Sequence, residues 1–189
     1  MATNFINDLL NNYNNANDDG RKGKKAEGLF KILCDNTRGR VVSLPGRVDT
    51  RKKLNNGQWA DFEVKTGHGE LGAIDAEGNI VKTCLTSDYM VYCYKYNEKG
   101  TLDEMLDSFA ENAYVFPMAT FIDLLNKYNL IYKKKSSAMG KVEKDRQYND
   151  RLGIQQFETE RRRKVKEGFL NDLAEMGTPV VEFIEENLR

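Results

Sequence analysis

Asp61-Phe62-Glu63-Val64-Lys65-Thr66-Gly67 alternates polar and apolar residues over its first five positions. Side chains two apart along a strand project from the same face. Asp61, Glu63 and Lys65 therefore share one face of an expected strand, and Phe62 and Val64 share the other. Two carboxylates beside an ammonium give up packing on their side. That arrangement suits holding a divalent cation and activating a water.

Just upstream, Asn55-Asn56-Gly57 separates Arg47–Leu54 from Gln58–Lys65 and signals a hairpin turn. Two registers are open. A two-residue Asn56-Gly57 turn sets Thr50 opposite Glu63. A three-residue loop, with Gly57 left-handed, sets Asp49 opposite Glu63 and Arg51 opposite Asp61. A slip of one residue turns every side chain to the other face, so the two turns make opposite predictions. The longer loop is favoured, because it pairs Arg51 with Asp61 and gathers Asp49 and Glu63 on one face. Asp61 is then either a further ligand or the partner of Arg51.

Farther out, Phe5, Ile6, Leu9, Leu10 and Tyr13 recur at helical spacing, and a second helix is expected over about 24–34 with Leu29, Phe30 and Leu33 inward. Val41 to Leu44 reads as a strand ended by Pro45-Gly46, and Ile80 to Cys84 as a short strand or turn. Tyr89 to Tyr96 is the clearest strand, aromatic and β-branched. Its tyrosines form a packing ladder or a surface for stacking bases. Thr101-Leu102-Asp103-Glu104 is a capping box opening a helix to about Asn112. Tyr114 to Pro117 is a brief extended piece, and Phe121 to Tyr128 a helix. From Gly140 to Glu175 charge is dense and apolar residues sparse, which reads as one long or broken helix. Thr178 and Pro179 cap and open a last helix.

The chain has 189 residues, 40% of them hydrophobic and 31% charged, enough apolar material for one core. The division expected is an α/β core over 1–135, with an N-terminal helix, and a charged helical extension over 136–189. Formal net charge is zero, so attraction to nucleic acid must come from local clusters. Three exist: residues 21–25 with Lys24 and Lys25, the run Lys133-Lys134-Lys135, and Arg161-Arg162-Arg163-Lys164. Three cysteines without a CxxC give neither a disulfide framework nor a zinc knuckle. Reduced thiols and a cytoplasmic location are expected, with no signal pattern and no membrane span. His68 is the only histidine, which excludes chemistries needing two. Trp59 is the only tryptophan, and a core anchor is its expected role.

In chain order there is a helix with Glu27, a strand, then Gly46-Arg47-Val48-Asp49 on one hairpin arm and Glu63-Val64-Lys65 on the other, 14 positions after Asp49. This resembles the PD-(D/E)XK nuclease-like superfamily over about residues 20–130. The literal Pro-Asp pair is absent, since Pro45 is not adjacent to Asp49. The resemblance implies an α/β (α+β) restriction-endonuclease-like core, with a mixed sheet flanked by helices. It implies a metal-dependent nuclease cutting phosphodiester bonds, DNA before RNA. Asp49, Glu63 and the carbonyl of Val64 would ligate Mg2+ or Mn2+. Lys65 would orient or deprotonate the attacking water, and Glu27 would be an auxiliary acid. Lys24, Lys25, Lys133, Lys134, Lys135, Arg161 and Arg162 would meet the nucleic-acid backbone, and His68 and Glu70 would either touch the scissile phosphate or the DNA groove or be exposed loop positions. The rival expectation is a non-catalytic binding or inhibitory protein on the same fold, such as a phage protein blocking a host defence complex. The C-terminal helices would then serve a homodimer or a protein partner.

Overall fold

A computed structural model describes residues 18–35, 42–44, 48–67, 70–74, 80–81, 84–135, 150–154 and 163–188. The expected helix over 4–16 lies outside them. In chain order the elements are α1 (Asp18–Asp35), β1 (Val42–Leu44), β2 (Val48–Lys53), β3 (Trp59–Thr66), β4 (Glu70–Ile74) and β5 (Ile80–Val81). A 3-10 turn (Cys84–Thr86) leads to β6 (Tyr89–Cys93), α2 (Leu102–Asn112), β7 (Ala113–Pro117) and α3 (Met118–Lys127). Then follow β8 (Ile131–Lys135), β9 (Asp150–Ile154), α4 (Arg163–Met176), β10 (Thr178–Pro179) and α5 (Val180–Asn187).

The architecture is mixed α/β. Among the described residues, six strands form one mixed sheet in the order β1-β2-β3-β6-β7-β10. Only the central β3–β6 pair is parallel; its neighbours are antiparallel. A parallel pair needs a crossover connection. Here that connection runs through β4 and β5, which lie in a second sheet ordered β5-β4-β9-β8.

Alternation along the strands assigns the two faces of the large sheet. Phe62, Val64, Val91 and Cys93 face one core with Ala26, Leu29 and Phe30 of α1, Phe109 of α2, and Val180, Phe183 and Ile184 of α5. Met90, Tyr92 and Phe116 face a second core with Phe121, Leu124 and Leu125 of α3 and Phe169 and Leu173 of α4. Leu71 of β4 and Ile154 of β9 join that second core, so the small sheet packs there. Tyr92 is fully buried, which makes it a packing residue. The capping box forms: Glu104 N–H donates to Thr101 Oγ1 and Thr101 N–H to Glu104 Oε2.

The C-terminal part differs from the sequence reading. Lys133 to Lys135 lie in β8, and residues 150–154 form β9 where a helix was expected. β8 pairs with β9, and β9 with β4. This pairing satisfies the backbone of a segment too charged to reveal itself by apolar alternation. Thr178 pairs with Val115 and Pro179 with Tyr114, so α5 starts at Val180 with no side-chain cap. Residues 163–188 thus complete the large sheet and both cores, and a boundary at residue 135 does not separate two cores. The apolar sides of α4 and α5 are spent inside the protein; Met176 and Val181 are their exposed large hydrophobics.

Candidate active site

The β2–β3 hairpin has the longer of the two turns. Thr50 pairs with Phe62, Arg51 with Asp61, Lys52 with Ala60 and Lys53 with Trp59. Leu54 N–H donates to the Gln58 carbonyl and Gly57 N–H to the Leu54 carbonyl. Gly57 has φ 87°, the left-handed conformation that glycine adopts without steric cost. The Asn56 side chain accepts from Gln58 N–H and fixes the bend. Turn chemistry alone therefore sets the face on which each charged residue lies.

The ladder stops at Thr50–Phe62, and Asp49 lies one residue before it on β2. Asp49 Oδ2 accepts the Val64 N–H at 2.8 Å, a bond that another backbone carbonyl would make in a continued ladder. The carboxylate is thereby set beside Glu63 and Val64. Asp61 is held by Arg51 through both guanidinium Nε and Nη2, the latter to Oδ2 at 2.7 Å. Its backbone N–H donates to Asp88 Oδ2 at 2.8 Å. Asp61 is the partner of Arg51, which answers the question its extra charge posed.

Glu63 is buried, and Lys65 Nζ donates to its Oε1 at 2.5 Å. Burial raises the Glu63 carboxyl above its ordinary range, Lys65 pulls it back, and Asp49 pushes it up again. Glu27 reaches the same cluster from α1. Its carboxyl is pushed up to about 7, chiefly by burial and then by Asp49, with Lys31 and Lys65 opposing and Glu63 adding. Three acids and two lysines, Lys31 and Lys65, therefore share one field. Carboxylates this close disfavour one another's charge, and a proton or a cation relieves the cost. Among the described residues, no three His, Cys, Asp or Glu side chains already stand in a ready-made metal-binding group. The donors expected are two carboxylates and the Val64 carbonyl, a set of hard oxygens suited to magnesium, which keeps several of its own waters.

The remaining expected residues part company. Lys24 is exposed on α1, one turn before Glu27. Lys25 is buried with its Nζ on the Glu98 carbonyl at 2.6 Å, which takes it away from the surface where a phosphate would be met. His68, Arg161 and Arg162 lie outside the described residues, and Lys133, Lys134 and Lys135 run along β8 at the edge of the small sheet. Two residues were missed. Lys31 acts on Glu27 from one helical turn away, a spacing readable as i, i+4. Tyr92 donates its hydroxyl to the Gly67 carbonyl at 2.5 Å, and Gly67, with φ 54°, donates its N–H to the Cys93 carbonyl. Together these pin the exit of β3 just past Lys65, and no local sequence signal announces them.

No family model, curated protein or solved structure matches the chain.

Proposed function

We propose that this chain is a metal-dependent nuclease of PD-(D/E)XK type, acting on DNA before RNA, with a restriction-endonuclease-like core. One observation carries the reading: Asp49, Glu63 and Lys65 meet where β2 leaves β3, with Glu27 in the same field. Strand order and the parallel β3–β6 pair are consistent with that core.

Cleaving a phosphodiester needs an activated water and a means to hold the charge that builds on the phosphate. A bound Mg2+ or Mn2+ would supply Lewis acidity at Asp49, Glu63 and the Val64 carbonyl. The chain's own groups do the rest. Asp49 is oriented by the Val64 amide, so its carboxylate arrives without a conformational search. Lys65, held against Glu63, is positioned to orient a water or meet a phosphate oxygen. Burial of Glu63 keeps bulk water from screening these charges.

The test is cleavage of single- and double-stranded DNA and RNA with magnesium or manganese, against Glu63→Ala and Lys65→Ala. Wild-type activity that both substitutions abolish is the expected result. No cleavage of any substrate, together with no change in Tm on adding manganese, overturns the reading.

A further inference from the structure

Trp59 was expected in the core, yet it is 53% exposed at the start of β3. Tryptophan offers a broad flat apolar surface with a polar N–H, and it is enriched where proteins bind partners. Its place on the strand is specific. Residues 59, 61, 63 and 65 share one face by alternation, so the indole stands in line with Glu63 and Lys65. Glu63 lies four positions beyond Trp59, about 13 Å away at ~3.3 Å per residue. That is a span of a few nucleotides. Exposed Lys53 is paired across the hairpin with Trp59, which puts a cation-bearing residue on the same face.

The platform is also rigid. Next to it, Asn55 N–H donates to the Asn187 carbonyl at 2.8 Å and Asn55 Nδ2 to the Glu186 carbonyl at 2.9 Å. The hairpin tip is clamped to the end of α5, so a partner meeting Trp59 spends little on ordering it.

We infer that Trp59 is a stacking platform for an unpaired nucleobase, so the substrate of the candidate site is a nucleic acid presenting single-stranded bases a few nucleotides from the bond cut. This inference rests on the nuclease reading for its substrate class. Every base has an open π-face in a single strand, whereas a blunt duplex hides all but the outer faces of its two end pairs. Lys53 meets the backbone beside the stacked base, and the strand runs along the hairpin toward Glu63 and Lys65.

Because Trp59 is the only tryptophan, emission from the full chain reports this position alone. The chain is titrated in chelator with a single-stranded oligodeoxynucleotide and with its blunt duplex. Saturable quenching by the single strand, at several-fold lower concentration than by the duplex, is expected. Anisotropy of a labelled single strand should show Trp59→Ala binding about 5- to 100-fold more weakly, with Trp59→Phe recovering most of the loss. Unchanged emission on adding the single strand overturns the inference. So does Trp59→Ala binding as tightly as wild type, or an equal response to the duplex. Emission that shifts when the protein alone is concentrated also overturns it, since a second copy would then cover the indole. Metal-dependent cleavage decides the other question separately. Trp59→Ala cleaving single strands as wild type does sinks the platform and spares the nuclease, while quenching without any cleavage does the reverse.

Discussion

The two faces of β3 are built from one backbone and obey different rules. On one face Phe62 and Val64 are buried in the core beneath α1 and α5. Phe62 lies 5.4 Å from Phe30, 5.2 Å from Tyr89 and 6.0 Å from Phe183, ring centre to ring centre. On the other face stand Trp59, Asp61, Glu63 and Lys65, a tryptophan and three charges. The apolar face is where removing atoms unfolds the protein. The charged face gathers partly buried like charges and holds the candidate site. A strand can serve both ends because alternation keeps the two sets of side chains from ever touching.

Substitutions that separate the faces should rank accordingly. Phe62→Ala leaves a cavity among three rings and should cost about 3–5 kcal/mol, read as a large drop in the urea midpoint. A midpoint near wild type would mean the aromatic cluster contributes little. On the opposite face Lys65→Ala should lower that midpoint less, because Glu63 loses its partner but can take up a proton, while cutting the rate of cleavage about 10²–10⁴-fold. Loss of rate only in step with loss of folded protein would erase the distinction between the faces.

Glu27→Gln tests the crowding of acids. The Glu27 carboxyl sits at about 7 when folded against 4.5 when not. Its stabilising share is full below pH 4.5 and is lost as pH rises through about 7, because the folded protein resists ionising it. Glutamine stays neutral throughout. Without metal, the variant should match wild type near pH 4.5 and exceed it by about 1–3 kcal/mol at pH 8, measured by denaturant titration at both pH values. A variant less stable at pH 8 would refute the shared field. Smallest is Arg51→Ala. The ion pair with Asp61 is open to solvent on the arginine side, so the thermal midpoint should scarcely move, and salt should not change that. A large fall would show that the pair holds the hairpin in register.

The hairpin was legible because its information is local. Asn55-Asn56-Gly57 fixes the turn, and Arg51 with Asp61 confirms the register within ten residues. From that register followed the meeting of Asp49 with the Glu63–Lys65 arm. The small sheet was not legible. β8 and β9 are charged strands whose pairing with each other and with β4 is decided across long stretches of chain, so neither shows the apolar period that announces a strand. Residue type misled at Lys25, whose ammonium caps a carbonyl, and Lys52 is likewise fully buried, with its Nζ on the Cys34 carbonyl at 3.2 Å. A lysine's long apolar stem lets it lie in a core wherever its head finds an oxygen. Trp59 misled in the opposite direction, since hydrophobicity gives no sign that a residue has been left outside.

The clamp on the hairpin tip sets a timetable. Asn55 is bonded to a carbonyl 131 residues further along the chain. As the protein emerges from a ribosome, both arms of the hairpin are made long before the helix that fastens them, and domains settle only as their later segments arrive. The two arms pair through their own turn, so a half-made chain can hold them in register, and what waits for α5 is the anchoring of the tip.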